Sequence, residues 1–140
     1  MLEIREVIEG RAARLSEGDV KGVLAYNAPQ VVDFSLAPPL GGVTDGTDPA
    51  PLERWLATFA APPRQEVTQL EITTDGDVAF ATSVDSLTAT PGGATEEFTL
   101  WYRATVGLRR IDGKWLITHQ HRSVPFYMDG SFRAAVDLEP

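Results

Sequence analysis

The chain has 140 residues, of which 43% are hydrophobic and 23% are charged, a composition typical of one folded domain and not of a disordered segment. Its 12 Lys and Arg side chains against 20 Asp and Glu give a net charge of −8, which argues against nucleic acid or an anionic membrane as a partner, because both attract clustered basic residues. Cysteine is absent, which excludes disulfides, a thiolate nucleophile and a Cys-ligated zinc. The N-terminus lacks a signal-peptide pattern and no apolar run is long enough to span a membrane, so we expect a cytoplasmic protein.

The first quarter of the chain predicts two helices and a strand. Apolar residues recur at helical spacing over residues 4–15, which indicates an amphipathic helix. Asp19 can cap a second, short helix that runs towards Tyr26. The apolar and β-branched run Val31–Leu36 predicts a strand, and Asp33 lies inside it.

The next segment predicts a long loop followed by a third helix. Ala37–Pro51 is rich in Pro, Gly, Thr and Asp, which is typical of a loop. Leu52, Trp55 and Phe59 lie on one stripe of a helix of about ten residues, which Pro62 and the following proline end.

The second half predicts an antiparallel meander joined by hairpin turns at Asp75-Gly76, Gly92-Gly93 and Asp112-Gly113. Its four predicted strands are Val67–Thr74, Val78–Ala89, Phe98–Arg110 and Lys114–Phe126. A short tail, residues 129–140, is expected to pack back through Phe132 and Val136. Helices that cover one face of such a sheet define an α+β fold whose sheet curls into a cone with room for an apolar ligand.

The run Arg109–Phe126 resembles the final hairpin of SnoaL-like members of the nuclear transport factor 2-like superfamily, which includes ketosteroid isomerases, polyketide cyclases and the association domain of calmodulin-dependent kinase II. Tyr26–Val32, Leu36–Leu40 and Trp101–Thr105 resemble its ketosteroid isomerase homologue branch. The resemblance implies one SnoaL-like domain over residues 1–140. It also implies a cone-shaped, cystatin-like fold: three N-terminal helices packed on a strongly curved, mixed but mainly antiparallel sheet. It specifies the fold more than the reaction.

Asp33 is the first candidate catalytic residue. In ketosteroid isomerases, a tyrosine ends the second helix and an acidic pair follows in the next strand, the second acid being the base. Counting from Tyr26 without a gap places Asp33 on the first acid and Phe34 on the base. One residue of slip turns a side chain to the opposite face, so a bulge would be needed to restore the register. Asp33 is therefore either a base in the pocket or an exposed or helix-capping carboxylate.

Arg122 and Gln120 alternate onto one face of the last predicted strand. A buried arginine requires an anionic or carbonyl partner, because an unpaired buried charge is costly. The kinase association domain has the same His-x-His-Arg-Ser pattern, and the resemblance implies that Arg122 lines an anion-accepting pocket. The alternative is a salt bridge from Arg122 to Asp85 or Asp33.

His119 and His121 alternate onto the other face of that strand, together with Ser123. Two histidines at this spacing are candidate metal ligands, but zinc requires a third protein ligand, and the chain has no other histidine. The alternative places them on the outer sheet face near Trp101 and Arg103, where such proteins pair as dimers. We therefore predict no metal site.

Several further residues are candidate ligand contacts within the cone. Aromatic side chains at helical or strand spacing line either a cavity or an ordinary core. The candidates are Tyr26, Phe34, Trp55, Phe59, Asp85, His119 and His121.

Two functions from different classes follow. The first is a cofactor-independent acid–base enzyme, of isomerase, dehydratase or cyclase type, that acts on a small apolar substrate bearing a carbonyl group. Asp33 would be its base, and Arg122, Gln120 or Tyr102 would stabilise the oxyanion. The alternative is a non-catalytic ligand-binding or assembly domain whose pocket takes a carboxylate at Arg122. In either case we predict a homodimer formed through the outer face of the sheet.

Overall fold

The computed structural model describes residues 2–140 and contains three helices and six strands. The helices are α1 (Leu2–Ser16), α2 (Val20–Leu24) and α3 (Ala50–Leu56). The strands are β1 (Asn27–Phe34), β2 (Gly42–Asp45), β3 (Arg64–Asp75), β4 (Val78–Ala89), β5 (Phe98–Ile111) and β6 (Lys114–Ser123).

All six strands form one sheet in the order β2-β1-β6-β5-β4-β3. Only β1 and β6 are parallel, and the other neighbours are antiparallel. The predicted meander of four strands and the mixed, mainly antiparallel α+β fold are thus confirmed. Register shifts interrupt the β1/β6, β3/β4 and β5/β6 pairs, and bulges of this kind bend and twist the sheet.

The hydrophobic core lies between α1 and the concave face of the sheet. Ile4, Val7 and Ile8 of α1 are buried against β4, β5 and β6, as expected for one apolar helix stripe. The sheet contributes Ala79, Ala81, Leu108, Trp115 and Ile117 to this cluster. The core therefore fills the end of the cone next to the β5–β6 turn.

The other end of the sheet is surrounded by loops, and we call it the mouth. β1, β4 and β6 end there while β2, β3 and β5 begin there, as the pairing directions require. The segments at the mouth are residues 35–41, α3 with residues 57–63, the loop 90–97 and the chain after Ser123. No residue of α3 is buried, so this helix lies beside the mouth without a core of its own.

The structure differs from the sequence-based expectation at strand boundaries, in one additional strand and in the tail. β1 begins at Asn27 instead of Val31, and the predicted loop contains β2, which pairs with β1. β6 ends at Ser123 instead of Phe126, because Pro125 has no N–H to offer a ladder. In the tail, Phe132 stacks on Phe126 at a centroid distance of 5.8 Å, but Phe132 and Val136 remain 78% and 55% exposed and Ala135 is the buried residue.

No helix among residues 2–140 is both long and apolar enough to cross a membrane.

Candidate functional site

Polar side chains from six elements converge between the core and the mouth. This group, the interior cluster, consists of Arg11 from α1, Asp33 from β1, Gln65 from β3, Asp85 from β4, Tyr102 from β5, and Gln120 and Arg122 from β6.

The strand registers explain why these side chains face one another. Asp85 pairs with Tyr102 across β4 and β5, and directly paired residues point to the same face of a sheet. Asp33 pairs with Gln120 across β1 and β6. Arg122 is two residues further along β6 and therefore shares the face of Gln120. The predicted alternation along β6 is confirmed, since Gln120 is buried and His121 is exposed.

Gln65 links Asp85 and Tyr102 by its amide. Its Nε2 atom donates to Asp85 Oδ2 at 3.3 Å and to the Tyr102 hydroxyl at 3.2 Å. Burial raises the pKa of Tyr102 to about 12, so its phenol keeps its hydrogen at neutral pH. Burial also raises the pKa of Asp85, against the opposing effects of its hydrogen bonds and of Arg122. On this side of the cluster, burial therefore raises the pKa of both acidic groups, Asp85 and Tyr102.

The other side of the cluster holds two guanidinium groups. Arg122 donates through Nη2 to Gln120 Oε1, which leaves the Gln120 amide nitrogen as a donor. Burial and then repulsion from Arg122 lower the pKa of Arg11 to about 9, which still leaves Arg11 protonated at neutral pH. No carboxylate among the described residues forms an ion pair with either arginine. The alternative of a salt bridge from Arg122 to Asp85 or Asp33 is therefore wrong.

Four buried atoms of the interior cluster have no hydrogen-bond partner within residues 2–140. They are Arg11 Nε, Asp33 Oδ1, Gln65 Oε1 and Asp85 Oδ1. Buried polar atoms without partners are rare in folded proteins because each costs desolvation free energy. Their concentration at one place, between acids and arginines that are not paired with each other, is typical of a site that binds a polar ligand.

Asp33 reaches this site because of the register shift in β1. The shift lies between Asn27 and Val32, and Val31 and Asp33, which are two residues apart, both face inwards. Val31 is 1% exposed and belongs to the core. The Asp33 side chain is thus interior, and the alternative of an exposed or helix-capping carboxylate is wrong.

Phe34, His119 and His121 lie together on the outer face, away from the interior cluster. The Phe34 ring makes edge contacts to both histidine rings, at centroid distances of 5.2 and 5.4 Å. His119 Nδ1 donates to the Val32 carbonyl at 2.8 Å. Each of these three predicted ligand contacts is next in sequence to an inward-facing residue, Asp33, Gln120 or Arg122. Because side chains alternate along a strand, the three point to the convex side of the sheet.

Tyr26 lies at the opposite end of the cone from the mouth. Its hydroxyl donates to Glu6 Oε1 at 3.3 Å, and its carbonyl accepts from the Ile117 N–H at 2.9 Å. It lines a separate open cleft of about 500 Å³ together with Trp115 and Lys114. Because β1 starts at Asn27 and runs towards the mouth, Tyr26 cannot share a site with Asp33.

Trp55 and Phe59 lie at the mouth, where they contact each other and Phe98. The Trp55 and Phe59 rings meet edge to face at 5.1 Å, and Phe59 lies 6.5 Å from the Phe98 ring. They border the site without touching the interior cluster.

Sequence reasoning missed two members of the cluster, Gln65 and Arg11, and only Arg11 carries a signal in the sequence. It lies three residues after Ile8 and four before Leu15, so it occupies a position on the buried stripe of α1. A charged residue on an apolar helix stripe is the signal that identifies it.

No group of three or more His, Cys, Asp or Glu side chains in the described part of the chain is placed to hold a metal ion.

Comparison with known proteins shows that the chain belongs to the SnoaL-like domain family, whose model matches residues 4–127. The chain is similar to an NTF2-like protein of unknown function from Pseudomonas putida KT2440, with 31% identity over 99% of this chain and 94% of the other, and a TM-score of 0.83. This agrees with the predicted nuclear transport factor 2-like superfamily. A search of curated proteins finds no match.

Two further solved structures share the fold at lower identity. One is a candidate scytalone dehydratase from Novosphingobium aromaticivorans DSM 12444, with 15% identity over 99% of this chain and 95% of the other, and a TM-score of 0.78. The other is a ketosteroid isomerase-like protein from Erwinia carotovora atroseptica SCRI1043, with 18% identity over 87% of this chain and 93% of the other, and a TM-score of 0.72.

Proposed function

We propose that this protein is a cofactor-independent acid–base enzyme, of isomerase, dehydratase or cyclase type, that acts on a small substrate with a carbonyl group inside the cone. The observation that carries the proposal is Asp33 Oδ1, a buried carboxylate oxygen without a partner beside unpaired guanidinium groups. A base held in this way is free to accept a proton from a bound substrate.

The proposed reaction begins when Asp33 removes a proton from the carbon next to the substrate carbonyl. The electron pair moves onto the carbonyl oxygen and forms an enolate. Arg122, Gln120 or Tyr102 donates a hydrogen bond to that oxygen, and such fixed donors are effective in a site that excludes water. Asp33, now protonated, delivers the proton to a different carbon of the conjugated enolate in an isomerase, or to the hydroxide that leaves the adjacent carbon in a dehydratase. In a cyclase the enolate carbon attacks a second carbonyl of the substrate, and Asp33 protonates the alkoxide that this new carbon–carbon bond creates.

The fold comparisons support this proposal only by analogy, since related folds include proteins named for a dehydratase and an isomerase-like activity. The support from this chain is the pairing of one interior base with several donors that keep their protons. Tyr102 has a pKa of about 12, and Arg11 remains a cation at neutral pH.

Hydrogen exchange tests the proposal without knowledge of the natural substrate. Small ketones and keto acids are incubated with the protein in D₂O, and the loss of the hydrogen next to the carbonyl is followed by proton NMR. We expect wild type to accelerate exchange in at least one compound, and Asp33→Asn to slow it by about 100-fold or more, as for loss of a general base. Asp112→Asn is the matched control, because Asp112 lies in the exposed β5–β6 turn. Acceleration that survives Asp33→Asn would exclude Asp33 as the base.

The alternative function is a non-catalytic domain that binds a carboxylate at Arg122, and the unpaired arginines favour it specifically. It predicts binding of an anion without hydrogen exchange in any compound. Arg122→Ala then abolishes binding of benzoate, measured by calorimetry, and lowers the melting temperature only slightly, because Arg122 has no ionic partner to lose and its loss removes only the hydrogen bond to Gln120. Unchanged benzoate binding in Arg122→Ala would count against both functions.

The proposed assembly is a homodimer through the outer face of the sheet. Phe34 and Phe80 are 37% and 50% exposed on this face, and His121 and Thr105 pair at its centre. Cover by a second copy removes this apolar surface from water.

A further inference from the structure

Aromatic side chains continue from the interior cluster out to the mouth. Phe98, Leu100 and Tyr102 alternate onto the concave face of β5, where Leu100 packs against the buried cluster that contains Tyr102. Phe98 pairs with Ala89 of β4, whose side chain is buried. From Tyr102 to Phe98 the strand covers about 13 Å, at roughly 3.3 Å per residue.

Two aromatic residues extend this row beyond the strand. Phe59 lies 6.5 Å from Phe98, and Trp55 of α3 contacts Phe59 at 5.1 Å. We call Leu100, Phe98, Phe59 and Trp55 the apolar track.

The outer part of the track is fixed in place but open to solvent. The segment after α3 is tied to the loop 90–97, since Ala60 N–H donates to the Thr90 carbonyl at 2.9 Å and Gly92 N–H to the Thr58 carbonyl at 2.8 Å. Trp55 and Phe98 nevertheless remain 38% and 39% exposed. An ordered but uncovered aromatic row that leads into a polar interior is the arrangement expected for a surface that a ligand completes.

The charge of the interior defines the other end of that ligand. Arg11 and Arg122 have no ionic partner within residues 2–140, and the nearby Asp85 side chain forms no salt bridge with either of them. A carboxylate on the ligand would supply the missing acceptor for two guanidinium groups.

We infer that the ligand is an elongated amphipathic carboxylic acid, with its carboxylate between Arg11 and Arg122 and its apolar body along the track to α3. This inference rests on the proposed function, because it names the substrate class of the same site. It adds a role for Phe98, Phe59 and Trp55 in selecting substrates by length.

Two test compounds measure the contributions of the two ends of the ligand separately. Benzoate is short and reports on the arginines, whereas biphenyl-4-carboxylate carries one more ring that reaches the track. Calorimetry on wild type should show biphenyl-4-carboxylate binding at least about 10-fold more tightly than benzoate, because the second ring is removed from water. Biphenyl-4-carboxamide has the same rings without the charge and should not bind measurably.

Substitutions at the mouth test the track itself. In the double variant Trp55→Ser, Phe98→Ser, the two carboxylates should bind within about threefold of each other, since the second ring loses its contacts. Benzoate binding should stay as in wild type, which also shows that the variant is folded. Phe80→Ser, an aromatic residue of similar exposure on the outer face, should keep the wild-type ratio.

Three results would overturn the inference. They are equal affinities for the two carboxylates in wild type, no binding of either one, and a wild-type ratio that persists in the double variant. If light scattering shows instead that the double variant dissociates an oligomer, the track is a subunit contact and the inference is also wrong.

Failure of the proposed catalysis gives a different pattern. Asp33→Asn removes the base but no part of the track, so the ratio of the two affinities should remain even where hydrogen exchange is lost. A ratio near one in a protein that still catalyses exchange would contradict the track alone.

Discussion

Asp85 is the residue at which the interior cluster departs most from ordinary protein chemistry. It is 4% exposed, its Oδ1 atom has no partner, and burial raises its pKa above the usual 3.8. A carboxylate in such a place destabilises the fold when it is ionised. The residue therefore connects the stability of the protein to pH.

Asp85→Asn is expected to stabilise the protein at neutral pH but not in acid. Because folding raises the pKa of Asp85, its stabilising contribution is complete below pH 3.8 and is lost as the pH rises through the folded-state value. Asparagine imitates the protonated form at every pH. The variant should gain about 1 kcal/mol near pH 7, or a few degrees in melting temperature, and should melt with wild type near pH 4. An equal difference at the two pH values, measured by thermal unfolding, would mean that ionisation of Asp85 is not responsible.

At the scale of elements, the pairing of β1 with β2 holds Asp33 in position. β2 has only four residues, all exposed, and it is held by the β1 ladder together with Gly46. The Gly46 N–H donates to the Pro29 carbonyl at 3.0 Å, and Asn27 Nδ2 donates to the Gly46 carbonyl at 3.0 Å. The backbone comes so close here that a side chain has no space.

Gly46→Ala should destabilise the protein by about 1–3 kcal/mol, as for insertion of a methyl group into a packed region. An added Cβ would overlap the Ala28 carbonyl oxygen and approach Val31 Cγ2 to 2.8 Å. Gly42→Ala is the matched control, since a Cβ at Gly42 meets nothing within 4 Å. Urea unfolding compares the two variants, and equal stabilities would show that the close approach is tolerated by movement of β2.

Local sequence predicted the elements whose signals are local. The turns at Asp75-Gly76 and Asp112-Gly113 have their glycines at positive φ, which is why these hairpins were visible in the sequence. β2 was not visible, because its strand conformation depends on pairing with β1 and not on its own Gly, Val, Thr and Asp residues.

The side-chain direction of Asp33 illustrates the same limit at the site. The register shift between Asn27 and Val32 arises from pairing with β6, which is distant in the chain, so sequence alone left the inward and outward alternatives open. Alternation predicted that Gln120 and Arg122 share a face but left open which face it is, because a register shift in the β5/β6 pair separates the buried residues Ile117 and Gln120. Arg11 was overlooked because helix periodicity was counted on apolar residues only.

At the scale of the whole molecule, we predict a dimer in solution. The protomer mass is 15.2 kDa, and light scattering at micromolar concentration should give about twice that value, because the exposed apolar residues of the outer face favour burial. Thr105→Arg places a charge at the centre of that face and should shift the mass towards the monomer. Thr95→Arg, in the exposed loop 90–97, is the control. A wild-type mass equal to that of one protomer would contradict the predicted dimer.

The two edge strands of the sheet affect whether molecules of this protein associate at high concentration. One edge is β2, too short to pair with much of another chain. The other is β3, which carries Arg64, Glu66, Glu71 and Asp75 and is interrupted at Gln69, whose φ is 53°. Short, charged or bulged edges discourage strands of separate molecules from joining. We therefore expect concentrated solutions of this protein to resist fibril formation.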